Sequence, residues 1–342
     1  MGLLRFAARR LATLLATLVL VAGLGFVLVM TLPGDPVSAR EDLAHARQLS
    51  PTDIDRLRAA YGLDLPALVN TDAEGLGLFT QTRFARWLGR LARFDFGEAH
   101  DGRAVSTLVG DAMPVTLLLG LCALLCAYVI ALPLGGLAGA RPGGPCDSIS
   151  SWGTVLALSL PAPWVVVLVV SSVAALPGAA WPLRGLTSAD AASWGFVARA
   201  LDVAAHLALP VACLAYGSAA MLLRLQRASV AEAWSSDFVR GARARGVHER
   251  RLVWTHAMRP SLATPLALLA VELPWVLSGS VVVEAAFDLP GVGLLTARAL
   301  AVRDYPTLLG VTMSLAVVAA LAGALADVLA AWADPRLREG ES

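Results

Sequence analysis

Apolar runs of twenty residues and more recur along this chain, and a run of that length has few places to go. Wound as a helix at ~1.5 Å per residue, it crosses the ~30 Å of hydrocarbon in a bilayer. The runs are Leu11–Leu32, Val105–Ala138, Ile149–Leu176, Ala204–Leu225, Leu262–Val283 and Leu308–Trp332. Composition agrees: 57% of the 342 residues are hydrophobic and 15% are charged, against about 25% charged in soluble domains. The expected fold is an all-α membrane protein of six transmembrane helices. Pro133, Pro161, Pro163, Pro210 and Pro274 fall within or beside spans, where neighbouring helices can satisfy the carbonyls that proline frees. Pro114 is expected to mark a kink or the point where the second span enters the bilayer.

The first run follows Arg5, Arg9 and Arg10, as a signal peptide would. It exceeds the ~7–15 residues of a signal-peptide core, and Pro33-Gly34-Asp35-Pro36 is a poor cleavage site, so a retained helix is expected. Arginines set the orientation. The connection after the fourth run holds Arg224, Arg227, Arg240, Arg243, Arg245, Arg250, Arg251 and Arg259, which places it in the cytoplasm. Counting back four spans puts the N-terminus inside as well, and Arg336 and Arg338 put the C-terminus there. The organisation reads as a cytoplasmic start and first helix (1–32), an extracytoplasmic insertion (33–104), a five-helix core (105–335) and a cytoplasmic tail (336–342). Within the insertion, Ser50-Pro51-Thr52-Asp53 reads as a helix start and Gly62 as its stop. Phe84, Trp87, Leu88 and Leu91 read as an amphipathic segment.

All 27 basic residues are arginine. A phosphate-binding P-loop needs a lysine to reach the β and γ phosphates, so the chain holds no conventional one. Lysine Schiff-base chemistry is excluded with it. A net charge of +1 gives no global field towards nucleic acid. Cys122 and Cys126 share a face of an apolar run, where small apolar packing accounts for them. Neither a disulfide nor a metal site is assigned. His206 and His256 are expected to satisfy backbone groups, and no Ser/His/Asp or paired-carboxylate spacing points to an enzyme.

The connection at about 228–259 is too polar to span and too patterned for a slack loop. Ser235-Ser236-Asp237 offers capping oxygens, Phe238–Arg245 makes a short helix, and Gly246 can close it in a left-handed conformation. Val247–Arg251 then starts a second helix, with Leu252, Val253 and Trp254 supplying apolar contacts. Small residues (Gly241, Ala242, Ala244) would admit a partner backbone, and the arginines would anchor it. A basic cytoplasmic loop facing anionic lipid is the other reading of the same residues.

Phe238-Val239-Arg240-Gly241-Ala242-Arg243-Ala244-Arg245-Gly246, then Glu249-Arg250-Arg251 and His256-Ala257-Met258-Arg259, resembles the coupling loop of binding-protein-dependent ABC importer permeases of the dipeptide/oligopeptide/nickel branch. The general importer pattern sets Glu-Ala-Ala three residues before a Gly, with Ile and Pro further on. Here Arg240 stands at the Glu position, Ala242 is retained, and His256 and Arg259 replace the Ile and Pro, as the peptide branch tends to do. Pro33-Gly34-Asp35-Pro36, Asp95-Phe96-Gly97, Leu158–Trp164, Glu284-Ala285-Ala286-Phe287, Pro290-Gly291-Val292-Gly293, Arg303-Asp304-Tyr305-Pro306 and Asp334-Pro335-Arg336 extend the resemblance along nearly the whole chain. The resemblance implies a permease fold in a bacterial or archaeal inner membrane, forming half of a path for peptides or nickel chelates. It implies an external solute-binding protein and a second permease. It also implies separate ATP-binding subunits, which would hold ATP and Mg, docked on 237–259 through Asp237, Arg240, Ala242, Arg243, Ala244, Gly246, Glu249, Arg250 and Arg251.

Glu272, Glu284 and Asp327 fall within or at the ends of spans, where an ionised side chain costs ~2.5–3.5 kcal/mol on insertion scales. For Glu272 a place on the pathway is one expectation; for Asp327 a hydrogen bond between helices competes with it. The rival from another class is a proton-coupled secondary transporter working through Glu272 and Asp327.

Overall fold

The computed structural model describes residues 2–31, 65–71, 73, 75, 77–176 and 181–333, with side chains described over 12–27 and, among the described residues, between 65 and 325 except at 270. The expected helix start at Ser50, the Pro33–Pro36 motif, Asp334-Pro335-Arg336 and the tail lie outside them. Among the described residues no strand forms beyond one isolated bridge, Glu98 with Ala104. The helices are α1 (Gly2–Thr31), α2 (Gly77–Thr80), α3 (Arg83–Leu91), α4 (Val105–Ala140), α5 (Pro145–Ser159), α6 (Ala162–Ala175), α7 (Phe196–Ser235), α8 (Asp237–Ala244), α9 (Glu249–Arg251), α10 (Met258–Ser261), α11 (Ala263–Ala286), α12 (Val292–Ala301) and α13 (Tyr305–Ala333). By length and composition α4, α7 and Tyr305–Leu325 of α13 can each cross a membrane.

Two compact units divide the chain: Met1–Ala112 with Leu295–Val317, and Met113–Leu294 with Val318–Ser342. In the first, α3 packs on α1 through rings: Phe26 lies 5.3 Å from Phe84 and 5.7 Å from Trp87. The expected amphipathic segment is therefore a helix, opened by the Thr82 hydroxyl, which accepts from the Ala85 amide at 3.2 Å. Asp304 opens α13. Its carboxylate accepts from the Thr307 hydroxyl at 2.8 Å and from the His100 amide at 2.8 Å, so one cap also pins the 97–104 turn. In that turn, bonds from the Arg103 backbone and side chain hold the exposed Asp101 carboxyl below its ordinary range.

The second unit is built on α7. Gly135 and Gly139 of α4 bring two backbones together: a Cβ on Gly135 would lie 2.8 Å from the Leu223 carbonyl, and one on Gly139 would lie 2.9 Å from Val230 Cβ. Glycines four apart form the close helix crossing that replaces hydrophobic drive inside a bilayer. Ala123, Leu124, Ala127 and Ala131 continue the α4 ridge against Ala215, Leu222, Leu223 and Val276.

One expectation is corrected. The third apolar run is not one rod: α5 and α6 meet at 98°. Pro161 is the cause, because a residue before proline is steered out of the helical region, and Leu160 is extended at ψ 123. The Leu160 carbonyl instead accepts from the Tyr216 hydroxyl of α7 at 2.9 Å. Around Pro114 and Pro133, α4 continues as one helix.

The glycine crossing predicts opposite signs at two helical glycines. Gly139→Ala should lose about 1–3 kcal/mol by overpacking. Gly153→Ala, whose Cβ would have no neighbour within 4 Å, should be neutral or gain up to ~1 kcal/mol of helix propensity. Thermal unfolding of the purified protein in detergent measures both.

Candidate functional site

Leaving α7, the chain turns on Ser236. Of the three candidate capping oxygens, the Ser236 hydroxyl takes the role, accepting from the Val239 amide at 3.5 Å while its backbone stays extended. The eight residues of α8 then bury Val239 and Ala242 against Leu252, with Trp234 and Val247 half-buried around them. The end of α8 is a double closure. The Gly246 amide donates to the Arg243 carbonyl at 2.9 Å, and the Val247 amide donates back to Ala242 at 3.3 Å. This is the Schellman pattern, which sets a left-handed residue at the turn and an apolar one after it. Gly246 has φ +79, and Val247 is the apolar follower.

A small apolar centre thus makes this segment a folded knob. Around it, Arg243 lies 4.7 Å over the Trp234 ring and donates to Glu249 at 3.1 Å. Arg240 pairs with Asp237. Arg245, Arg250 and Arg251 are exposed, as are Ala244 and Phe238, the latter stacked 5.6 Å from the His256 ring. Ala242 corrects the sequence reading. It is wholly buried in the knob's own centre and offers nothing to a partner, whereas Gly241 is half-buried.

The second knob helix also differs from expectation. Val247 and His248 lie outside it, since Val247 serves the centre and the His248 ring accepts from the Arg250 amide at 3.2 Å. After one turn, α9, the chain winds as a π-helix over Leu252–Ala257 before α10. The wider winding brings residues five apart onto one face. Leu252 with Ala257, and Val253 with Met258, are the buried pairs. Val253, Ala257 and Met258 pack on Ala140 of α4 and Val230 of α7. A Cβ on Gly136 would meet the Met258 sulfur at 2.5 Å. The knob is therefore seated on the ends of α4 and α7. His206 and His256 do reach backbone oxygens, of Asp202 at 2.9 Å and Arg251 at 3.3 Å.

Farther along the unit, a cavity of about 620 Å³ opens between α5–α6, α7 and α11, and Glu272 lines it. The Ser218 hydroxyl of α7 donates to its carboxylate at 2.6 Å. Glu284, wholly buried at the end of α11, does something different. One carboxylate oxygen accepts from the Thr116 hydroxyl at 2.8 Å, and the other from the Gly293 and Leu294 amides at 2.6 and 3.2 Å. It caps the N-terminus of α12, and the Thr116 oxygen accepts from the Val292 amide at 2.7 Å. A Cβ on Gly293 would lie 2.9 Å from the Glu284 carboxylate, and one on Gly291 would lie 2.7 Å from the Thr116 hydroxyl. The two glycines and the glutamate are one device.

Three partners escaped the sequence reading: Ser218, Thr116 and the pair of Asp147 with Arg227, in which Arg227 Nη2 donates at 3.0 Å and Nε makes a second bond. Asp147 carried a usable signal, an acidic residue at the start of an apolar run. Ser218 and Thr116 carried none, because a hydroxyl among small residues looks like packing. The Asp327 side chain lies outside the described ones.

Residues 131–339 match the family described as the binding-protein-dependent transport system inner membrane component. The oligopeptide transport system permease protein AppB of Bacillus subtilis is 30% identical over 317 residues, covering 92% of this chain and 93% of the relative. The dipeptide transport system permease proteins DppB of Escherichia coli and Lactococcus lactis are each 28% identical, over 98% of this chain and 99% and 100% of theirs.

The knob's geometry separates two Gly246 substitutions. A Cβ there would meet nothing within 4 Å, so the cost is torsional rather than steric. Gly246→Val should cost the knob about 1–3 kcal/mol, and Gly246→Asn, which tolerates a left-handed backbone, much less. Hydrogen exchange of the 236–258 amides should rise in the first variant and stay near wild type in the second.

Proposed function

The chain belongs to the family of binding-protein-dependent transport system inner membrane components, and from that premise we propose that it is one permease half of an ATP-driven importer for peptides or similar small solutes. Nickel chelates are within the same reading. Six spans would be formed by α1, α4, the bent α5–α6 pair, α7, α11 and α13, with the segments before α1 and after α13 in the cytoplasm. The arginine distribution supports that orientation. The setting would be the cell membrane of a bacterium or archaeon, and 33–104 would face an extracytoplasmic solute-binding protein. A second, homologous permease would complete the path. ATP and Mg would be held by separate ATP-binding subunits.

The observation that carries the reading is the folded knob of 236–258, seated directly on α4 and α7. A floppy loop could not transmit displacement to the spans. A body closed by a Schellman turn and bedded on two helix ends can, and rigid-body tilting of such helices is how a path opens alternately to the two sides. Its exposed Phe238 and Arg240, Arg243, Arg245, Arg250 and Arg251 give an apolar anchor ringed by cations, the composition that partner surfaces favour. The relatives' names, all of transport-system permeases, leave the proton-driven alternative through Glu272 and Asp327 without support.

Co-expression with the ATP-binding subunits tests this. The chain should co-purify with them in mild detergent, and vesicles holding the whole complex and its binding protein should take up oligopeptides only with ATP. Phe238→Asp should weaken ATPase recruitment at least tenfold while the chain still inserts. A pure chain that recruits no ATPase, or uptake that follows a proton gradient without ATP, would sink the reading.

A further inference from the structure

The cavity beside α11 has an unbalanced lining. Its walls are Leu, Val, Ala and Met side chains with three hydroxyls, and Glu272 is the one formally charged side chain among the described residues that line it. The hydroxyls are all engaged as donors: Ser218 to Glu272 itself at 2.6 Å, Tyr216 to the Leu160 carbonyl at 2.9 Å and Ser278 to the Pro274 carbonyl at 3.0 Å. An ionised carboxylate is acceptor-only, with about four lone-pair sites. Glu272 is 9% exposed, and among the described residues Ser218 is its one donor. No other hydrogen bond to its carboxylate forms among the described residues, and no arginine lines the cavity. Buried carboxylates elsewhere in this chain are treated otherwise: Glu284 has Thr116, Gly293 and Leu294, and Asp147 has Arg227 and Gly143.

One helical turn away on α11, Trp275 lines the same cavity and is itself 73% exposed. Residues three apart on a helix share a face. A carboxylate in want of donors and an indole face available for a cation–π contact both select one kind of guest.

We infer that Glu272, with Trp275 beside it, is a transit site for a cationic nitrogen of the solute, an alkylammonium that donates to the unfilled carboxylate oxygen and rests on the indole. This deepens the reading of the chain as half of a solute path and rests on it. Passing substrates then carry a free amino terminus or a basic side chain. A single partner rather than a full set keeps the site weak enough to release what it takes.

The test uses the complete complex in lipid vesicles with three probes: tri-alanine, N-acetyl-tri-alanine, and N-acetyl-Ala-Lys-Ala. Carbodiimide coupling joins a carboxylate to an amine in contact with it, and peptide mapping locates the bond. Tri-alanine should be found on Glu272 and N-acetyl-tri-alanine should not. Coupling of the lysine probe as well assigns the cation to a side chain or an amino terminus alike; its failure restricts the site to the amino terminus. A complex whose exposed carboxylates couple while Glu272 stays unmodified by every amine overturns the inference. In uptake, Glu272→Gln keeps an acceptor for Ser218 and removes the charge. It should lower the rate at sub-saturating tri-alanine about tenfold with ATPase recruitment unchanged, and Glu272→Asp should recover part of the loss. Equal uptake by wild type and Glu272→Gln overturns the cation site and leaves the importer standing. A wild-type complex that takes up no peptide with ATP refutes the peptide reading, and the coupling experiment then still decides whether Glu272 meets a cation.

Discussion

At Gly135 and Gly139 no side chain stands between α4 and α7, and the second unit depends on that contact. Inside hydrocarbon an apolar residue gains little by touching another helix rather than lipid, so helices associate through close packing and polar bonds. The two glycines supply the packing. The Gly139 surface meets the backbone of Arg227 and Ala231, and this places Arg227 to reach Asp147 at the start of α5. Gly136, on the adjoining face, receives Met258 of α10. One short ridge of α4 therefore sets the approach of α7, the anchoring of α5 and the seat of the knob.

The knob's rigidity comes from its centre. Its ion pairs are exposed, and exposed pairs contribute about 0–1 kcal/mol each. Burying Val239 and Leu252 contributes ~1.5–3 kcal/mol apiece, and the Schellman turn fixes the direction in which the chain re-enters the membrane. Arginines can therefore serve recognition without being needed for shape. Gly246 has the reverse role: a Cβ there would meet nothing within 4 Å, and the path of the backbone hangs on its φ.

Periodicity made the apolar runs legible, and local turn chemistry made Ser236, Gly246 and the α3 helix legible, because each is decided by residues close in sequence. The bend at Pro161 is readable in principle, since proline's effect on its predecessor is local; hydropathy alone hides it, because it cannot distinguish one span from two half-spans. The π winding at Leu252–Ala257 was not readable, because it answers to the positions of Ala140 and Val230, over a hundred and over twenty residues away. Ala242 looked like a partner contact because a small residue on a basic helix has no mark to say which side it faces. At Glu272 a charged residue in a span is legible from the residues alone, and only the fold supplies the cavity and the solitary Ser218 bond.

The Glu284 clamp joins groups that leave the ribosome at very different times. The Gly293 and Leu294 amides follow the glutamate by nine and ten residues, about 0.5–2 s at ~5–20 residues per second. Thr116 precedes it by 168, a wait of roughly 8–34 s at the same rate. The cap on α12 can close once the next ten residues are made, whereas the Thr116 hydroxyl must keep its place on α4 until the glutamate appears. The carboxylate thus joins partners made just after it to one made long before. An error in threading α4 would leave α12 formed, capped and unattached.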